Sequence, residues 1–523
     1  MSRVAVGIDL GASASSIAVF DPARGGVRVL PGRTGSTRTP SVVAFTEDGR
    51  RLVGQAARDR AVLHPAATVE RVPVGLGRGW RFEHAGARYE PEDLAAALIA
   101  ALLDDAEREL GERPRSAVFA APAHLGPEGR EALVDAAGRA GLTVPRVIAD
   151  TVATALAYTA ALPPDETRTA LIFDLGGGSL GATLADAGDG VCDVLATAGD
   201  GALGGALWDQ RLAGRLIDGF EELHGAGLRR DVAAVRRVTE AAERAKAELT
   251  SAAEATVRVP FLQRARDGRF FDLVDSVTRR EFEGLTADLT ARCGALLDVL
   301  FAAMDPHRDY RPGPGEVEEI LIAGEAGRMP AVAALLRARC GGTEPRRTTG
   351  PAGAAAGAAW QAALLSGLQG KFLLLDANTA TLLAGPVVPA GGAGELTTLV
   401  RRGVSIPVRR SAGLELPPGT SAVGLWSGES RTPAGNRLLA VLDLPDPLPP
   451  GGGPVEFVLD VDANARLHAA VTHPGTGRTA RVMVSRRTAA EAAEAVQAAR
   501  RGQGPGAGPG AGPPGARRAG SGC

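Results

Sequence analysis

The sequence has few of the residue types that mark several common classes of protein. It contains four cysteines in 523 residues, and none of them lies in a Cys-x-x-Cys pair or a Cys/His ligand spacing. A structural zinc site and a disulfide framework are therefore not expected. Aromatic residues make up only 4% of the chain, which leaves little material for stacking on single-stranded nucleic acid.

Charge and hydrophobicity exclude two further classes. The formal net charge is −2, so no basic excess points to nucleic acid. No apolar stretch approaches the roughly 20 residues that a membrane helix needs, and Arg3 and Asp9 flank the short apolar run at the N-terminus, which is unlike a signal peptide. We expect a soluble protein of a reducing, cytoplasmic setting that binds neither nucleic acid nor membranes. Only Lys246 and Lys371 are lysines, so a lysine position is worth notice.

The pattern of predicted secondary structure changes twice along the chain. Up to about residue 368, apolar strands alternate with helical patterns, which predicts an α/β architecture. After "KFLLLD" (371–376), short alternating runs separated by Gly and Pro turns predict an all-β module. Residues 488–501 read as one helix. The remainder is rich in Gly, Pro and Ala, cannot form a core, and is expected to be disordered.

Two segments of the α/β region share one plan. "VGIDLGASASSIAVF" (6–20) and "LIFDLGGGSLGATLAD" (171–186) each contain an apolar strand, an aspartate, a small-residue turn, a hydroxyl and a returning strand. Two similar β-units within one α/β region suggest two lobes that face a cleft.

The chemistry of these two turns suits phosphate. Glycine lets backbone N–H groups approach phosphate oxygens because no Cβ stands in the way. Asp9 and Asp174 at the strand ends are suited to Mg²⁺, held through waters, and Ser13 and Ser179 add hydroxyls. The pair predicts a clamp for a nucleoside triphosphate, although ordinary glycine-rich turns remain an alternative. No GxxxxGK[ST] is present, so the site is not a P-loop.

Several segments together resemble one known family. They are "GIDLGASAS", "RTPSVVAF", "VGQAA", "DLGGGSLG", "VLATAGDGALGGALWD", "EAAERAKAELTSA", "AGEAGRMP", "AAAGAAWQ" and "LLLD". Their order and spacing resemble those of the seventy-kilodalton heat-shock chaperones, the DnaK type, over about residues 3–487. The resemblance implies a two-lobed actin-like α/β ATPase domain, followed by a smaller all-β sandwich that grips extended peptides. The expected divisions are 1–369 for the nucleotide-binding domain, 370–377 for the linker, 378–487 for the sandwich, 488–501 for a short helix in place of the lid, and 502–523 for a disordered tail.

The resemblance also implies a function and its residues. It implies an ATP-binding chaperone of protein folding and the stress response, with ATP or ADP and Mg²⁺ as cofactors. Its partners would be unfolded or extended polypeptides, with J-domain and nucleotide-exchange co-chaperones. By position, the catalytic acids are Asp9, Asp150 and Asp174, of which Asp9 and Asp174 would hold the metal. The nucleotide contacts are Gly11, Ala12, Ser13, Gly176, Gly177, Gly178, Ser179, Gly204, Gly205, Glu243, Lys246, Thr250, Gly324 and Arg328.

The sequence departs from the family at charged positions of the site. Pro73 aligns with the lysine that reaches the terminal phosphate, and Arg71 is two residues away. Gly181 aligns with a second carboxylate, and Glu325 aligns with a glycine beside the adenine. We therefore expect ATP binding with slow hydrolysis. A pseudo-ATPase scaffold or regulator that keeps the fold without a chemical cycle is the first alternative. The second is a sugar- or acid-kinase relative of the same fold, although the β-module speaks against it.

In the β-module, "TSAVGLW" matches the strand whose valine, here Val423, lines the family's peptide pocket. An ordinary core position is an equal alternative for Val423. The apolar triplet of the linker, 373–375, is expected to dock on the ATPase domain in one nucleotide state and to leave it in another.

Overall fold

The structure is a computed structural model that describes most of the chain. The described residues are 4–61, 63–225, 227–264, 268–348, 353–370, 372–387, 395–418, 420–433, 435–444, 446, 448, 452–485, 488, 491–492 and 494. The predicted helix at 488–501 is covered at only four of these positions, and the predicted tail at 502–523 lies outside them.

The chain divides into two compact units. The first comprises Met1–Leu382, Leu399–Ser411 and Val458–His468, and the second comprises Leu383–Thr398, Ala412–Phe457 and Ala469–Cys523. The domain boundaries given by the sequence remain predictions.

The helices occupy the α/β part of the chain. In order, the α-helices within the described residues are α1 (Gln55–Ala61), α2 (Pro91–Leu110), α3 (Pro127–Arg139), α4 (Asp150–Thr159), α5 (Gly205–His224), α6 (Val232–Leu249), α7 (Arg279–Leu285), α8 (Ala287–Ala302), α9 (Pro330–Arg339) and α10 (Gly353–Leu365). Three of these helices, α2, α3 and α9, begin at a proline. Each has proline in its first turn, where the missing N–H costs nothing.

The strands of the α/β part come in short runs between these helices. They are β1 (Ala5–Leu10), β2 (Ala14–Asp21), β3 (Gly26–Val29), β4 (Thr39–Pro40), β5 (Val43–Phe45), β6 (Arg51–Val53), β7 (Thr68–Val69), β8 (Phe82–His84), β9 (Ala87–Tyr89), β10 (Val118–Ala121), β11 (Val147–Ala149), β12 (Thr167–Leu175), β13 (Leu180–Gly188), β14 (Val191–Asp200), β15 (Glu254–Arg264), β16 (Phe270–Thr278), β17 (Glu319–Ala323), β18 (Pro345–Arg347) and β19 (Leu373–Ala377).

Two mixed sheets organise these strands, and they are built alike. The first has the order β11-β10-β1-β2-β3, with β4 on β2. The second includes the order β18-β17-β12-β13-β14-β19. In both, an antiparallel hairpin (β1–β2 or β12–β13) has a parallel neighbour on its first strand, β10 or β17. The shared plan predicted from the two sequence segments is therefore confirmed.

The cores follow the two sheets. One large apolar cluster packs on the second sheet, another packs on the first, and a third joins residues of both sheets through α4 and α10. Small residues allow α10 to pack very closely. A Cβ on Gly357 would lie 1.7 Å from the carbonyl oxygen of Ala153 in α4, and a Cβ on Gly7 would lie 2.1 Å from the backbone nitrogen of Ala359. The alanine-rich "AAAGAAWQ" segment thus brings the two hairpins close together.

The C-terminal strands confirm the predicted all-β texture. They are β20 (Leu382–Pro386), β21 (Thr397–Val400), β22 (Ser405–Ile406), β23 (Val408–Leu416), β24 (Ala422–Ser427), β25 (Arg437–Asp443), β26 (Gly453–Val461), β27 (Leu467–Thr472) and β28 (Thr479–Met483). They form two four-stranded sheets, β21-β20-β24-β25 and β23-β26-β27-β28, while β22 pairs with β19. Val423 in β24 is fully buried, which favours the core alternative for its side chain.

Within the described part, no helix is both long and apolar enough to span a membrane. Cys192, Cys293 and Cys340 are buried free thiols.

Candidate functional site

The two hairpin turns predicted to bind phosphate lie against each other. A Cβ on Gly177, in the β12–β13 turn, would stand 2.0 Å from Ser13 Oγ in the β1–β2 turn. A Cβ on Gly178 would stand 2.8 Å from the Cβ of Ala12. Glycine is therefore required at both positions by close approach between the turns.

Each turn is closed by its own hydrogen bonds. The N–H of Gly176 donates to the carbonyl oxygen of Ser179 at 3.0 Å. The hydroxyl of Ser41 donates to the carbonyl oxygen of Gly11 at 2.6 Å. Both turns are thus held in shape independently of any side-chain charge.

A third glycine segment supports the second turn. A Cβ on Gly204 would lie 2.4 Å from the carbonyl carbon of Gly178 and 2.5 Å from the nitrogen of Ser179. Gly205 begins α5 and donates its N–H to the carbonyl oxygen of Gly176 at 2.8 Å. The structure therefore brings together the three predicted glycine segments.

Three buried carboxylates lie beside the turns. Burial, and then the charge of Asp174, raise the pKa of Asp9 to about 7, while Arg38 opposes them. Burial raises the pKa of Asp174 to about 6, again against Arg38. Burial followed by the charges of Asp174 and Asp9 raises the pKa of Asp150 well above its ordinary value. Each carboxylate is costly to ionise unless a cation is near, because buried like charges disfavour the charged form.

These carboxylates do not form a direct metal-binding cluster. Across the residues that the structure describes, no group of three or more His, Cys, Asp or Glu side chains is arranged to hold a metal ion. An ion held partly through waters is compatible with this arrangement, and Mg²⁺ commonly binds in this way.

Arg71 reaches the second turn, while Pro73 does not supply a charge. Pro73 is buried in a short 3-10 helix, Val72–Gly75. Arg71 precedes this helix in a left-handed backbone conformation with φ of 55°. Its Nη2 donates to the carbonyl oxygen of Gly177 at 3.2 Å and would lie 2.7 Å from a Cβ on Gly178. The guanidinium thus lies against the predicted phosphate turn.

Gly181 stands opposite Asp174 in the β12–β13 ladder. A Cβ at Gly181 would lie 3.2 Å from Thr151 Cγ2 and 3.5 Å from Asp150 Oδ1. The side of the chain where the family has a carboxylate therefore faces Asp150.

The predicted adenosine contacts on α6 are engaged in ion pairs or in the helix end. Lys246 Nζ is 2.7 Å from Asp209 Oδ1 and donates to the carbonyl oxygen of Gly205 at 3.1 Å. Glu243 is half-exposed and lies 3.9 Å from Arg58. Thr250 is the C-terminal cap of α6. Lys246 therefore anchors α6 to the start of α5, and Glu243 lies near Arg58 of α1.

Gly324 directly follows β17, and Arg328 ends the short 3-10 turn after it. Gly324 has φ of +73°, and a Cβ there would be 2.5 Å from Asp174 Oδ1. Glu325 binds two arginines, with Oε1 3.2 Å from Arg38 and Oε2 2.6 Å from Arg328. Burial raises the pKa of Glu325, but the hydrogen bond from Arg328 and the nearby arginines outweigh it and lower the pKa. Glu325 therefore bridges the two hairpin systems.

Sequence reasoning missed two members of this site. Arg38 tempers the charge of Asp9 and Asp174 and also pairs with Glu325, and Asp209 is the partner of Lys246. The scarcity of lysine pointed to Lys246. No comparable signal pointed to Asp209, and Arg38 was visible only as the first letter of "RTPSVVAF".

The fold and the site define a class of protein. Two similar sheets carry facing glycine turns, each with a buried aspartate, and an all-β region follows them, as in a two-lobed ATPase with a β-sandwich. A family model described as Hsp70 protein matches residues 5–503. The chain therefore belongs to the Hsp70 family, which confirms the predicted family and fold class and gives the protein a chaperone-type function.

Proposed function

We propose that this protein binds ATP and ADP with Mg²⁺ between its two hairpin turns and couples nucleotide state to the binding of extended polypeptide in the cytoplasm. The observation that carries the proposal is the contact between the two turns, with Asp9 and Asp174 partly buried at the strand ends beside them. Because Ser13 and Gly177 already touch, phosphates enter between the turns only when these move apart. Nucleotide binding is then linked to the spacing of the two sheets.

The carboxylates suit Mg²⁺. Burial raises the pKa of both Asp9 and Asp174, and the charge of Asp174 raises that of Asp9 further, so a cation bound near them relieves an unfavourable charge. When bound, Mg²⁺ would neutralise phosphate charge. The chain's own residues would orient the nucleotide: the turns offer backbone N–H groups, Ser13 and Ser179 offer hydroxyls, and Arg328 matches by sequence position the residue that stacks on adenine in the family.

Hydrolysis is proposed to be slow. Pro73 is buried and uncharged, and Gly181, whose Cβ position faces Asp150, supplies no carboxylate. Losing one electrostatic stabiliser of a developing charge commonly lowers a rate by about 10²–10³-fold. Arg71 offers a guanidinium at the second turn, but a planar fork does not replace the point charge of a lysine.

A pseudo-ATPase scaffold is the second candidate, and the residues Pro73 and Gly181 favour it specifically. Under this alternative the protein keeps its family fold and partner surfaces, and nucleotide binding produces no turnover. The peptide-binding partner, J-domain proteins and nucleotide-exchange factors are proposed from family membership alone, since Val423 is buried.

The test is calorimetry with ATP and ADP, with and without Mg²⁺, followed by a turnover assay. We expect saturable binding that Mg²⁺ strengthens, and negligible turnover. Asp9→Asn keeps the shape of the side chain and should reduce the Mg²⁺ effect. Asp21→Asn, on the half-exposed end of β2, is the matched control and should behave as wild type. Failure to bind either nucleotide would reject the proposal, while binding without any turnover would favour the scaffold.

A further inference from the structure

A cavity of about 370 Å³ borders the second predicted phosphate turn. Its wall includes Gly177, Gly178 and Gly204, together with Arg71, Arg78 and Trp80. Its lining includes neither Asp9 and Asp174 nor the first turn, although it shares the three glycines with the proposed nucleotide site. A volume of this size is at the lower end of the range for small-ligand pockets.

The cavity holds two guanidinium groups with unused hydrogen-bonding capacity. Arg71 donates one hydrogen bond from Nη2 to the carbonyl oxygen of Gly177. Its Nε is buried without a hydrogen-bond partner among the described residues. Within the same part of the chain, the guanidinium of Arg78 makes no hydrogen bond and no ion pair. Buried polar groups normally find partners, so the free Nε of Arg71 points to a missing acceptor.

Glu70, the acidic residue of the cavity wall, already has an ion-pair partner. Glu70 pairs with Arg236, whose Nη2 lies 2.6 Å from its carboxylate. The first amides of α5 are also used, because Gly205 and Ala206 donate to the carbonyl oxygens of the second turn at 2.8 Å and 3.1 Å. The net charge offered to a ligand is therefore positive and comes from the arginines.

We propose that this cavity is an oxyanion site that takes a phosphate group between Arg71 and Arg78. Arginine suits this task because its planar fork donates two parallel hydrogen bonds to phosphate oxygens. The cavity is larger than a phosphate ion, and the Trp80 indole, which lies over Gly75, forms part of its wall. A phosphate monoester with a small planar group therefore fits the remaining space. Free phosphate and such an ester share the chemistry of the site, which does not depend on nucleotide binding.

Calorimetric titration of the full chain without nucleotide, at constant ionic strength, tests this proposal. Inorganic phosphate and phenyl phosphate are the two probes. We expect saturable binding of both, with phenyl phosphate tighter if the natural ligand is an ester and equal affinities if it is free phosphate. Arg78→Gln should weaken binding at least tenfold, and Arg71→Gln should act in the same direction. Arg81→Gln, an exposed neighbour that does not line the cavity, should leave it unchanged.

Three outcomes would overturn the site. They are absence of saturable binding, unchanged affinity in Arg78→Gln, and equal losses in Arg78→Gln and Arg81→Gln, which would show only a general charge effect. Repeating the titration with ADP and Mg²⁺ present separates this site from the proposed nucleotide site. Unchanged phosphate affinity supports two sites, whereas competition would place the phosphate in the nucleotide cleft and reject the inference. If the protein binds no ADP, the titration without nucleotide still shows whether the cavity binds phosphate.

Discussion

Asp9, Asp150 and Asp174 show how single residues create the electrostatics of the cleft. Burial is the largest cause of the raised pKa at each, and mutual repulsion adds to it at Asp9 and Asp150. Arg38 is the cation that offsets the charge of two of them. Ionising these carboxylates is unfavourable without a bound cation. A further negative charge beside them should therefore lower the stability of the folded protein.

Gly181→Asp tests that expectation. Its Cβ would be within 3.2 Å of Thr151 and its carboxylate would add to the charge near Asp150, whose pKa is already raised. We expect a loss of about 1–3 kcal/mol in the free energy of unfolding from crowding, with a further loss from charge. Thermal unfolding in a chelator measures it.

Gly181→Asn is the matched control because it has the same shape without the charge. The difference between the two variants should shrink when Mg²⁺ is added. Equal stability of the two variants in chelator would show that the buried carboxylates do not repel a new one.

The buried His124 makes the stability of the folded protein depend on pH, and the direction of its pKa shift fixes the sign of that dependence. Burial lowers the pKa of His124, Arg78 lowers it further, and Asp200 opposes them. The unfolded chain therefore binds a proton at a higher pH than the folded chain does, and this group destabilises the fold as the pH falls below its ordinary value of 6.5. We expect His124→Gln to gain stability relative to wild type between about pH 7.5 and pH 5.5, where an imidazole titrates.

Melting temperatures across that pH range provide the measurement. His468→Gln is the control because His468 is exposed. A constant difference between His124→Gln and wild type at every pH would contradict the prediction.

Among single residues of the site, those with a local sequence signal could be predicted. Asp9 and Asp174 were visible because a carboxylate directly before a glycine turn is a local signal. The partners Arg38 and Glu325 are 287 positions apart, and Lys246 and Asp209 lie on different helices. Such pairings depend on how the two sheets pack, which no short stretch of sequence encodes.

At the scale of elements, β19 is the segment whose attachment matters most. It adds to the edge of the second sheet by parallel pairing with β14, with Leu374 opposite Cys192. Leu374 is 8% exposed, whereas Leu373 is 51% exposed. Asp376 lies 3.6 Å from the buried Arg146. The buried side chain of Leu374 and the Asp376–Arg146 pair thus add to the backbone pairing that holds this short strand in the sheet.

Leu374→Ala should release β19. Removing a buried leucine commonly costs about 2–5 kcal/mol, which is large for a five-residue strand. We expect faster amide exchange and faster proteolysis at 373–377 with little change in the melting of the rest of the chain. Leu373→Ala is the matched control, since its side chain is half-exposed. Equal protection in both variants would show that the triplet does not anchor the strand.

Elements with local start signals were the easiest to predict. The helix at Pro91 has proline at its first position and a reciprocal cap between Glu90 and Asp93, all within four residues. The placement of "LLLD" was harder, because an apolar triplet suits an edge strand of either sheet system. Pairing with β14 depends on a free sheet edge formed by residues about 180 positions earlier in the chain.

For the whole molecule, coupling requires one element whose state nucleotide binding can change. The hairpin turns approach each other closely at Ser13 and Gly177, so we expect phosphate binding between them to alter the spacing of the sheets. The strand β19 belongs to one of those sheets, where it lies between β14 and the two-residue strand β22. A ligand shifts such an equilibrium only by its differential affinity for the two states.

We predict that ATP changes cleavage within residues 373–377 and that the change is absent in Leu374→Ala, where the strand is already released. Because turnover is expected to be slow, ATP itself serves as the ligand, and calorimetry on the same sample establishes occupancy. Limited proteolysis with and without ATP gives the measurement. A nucleotide effect in wild type alone assigns the coupling to the docked strand. If cleavage is the same with and without ATP although calorimetry shows the site to be saturated, the coupled-chaperone proposal is wrong. A nucleotide-binding scaffold would then remain, because ATP binding would change no element outside the cleft.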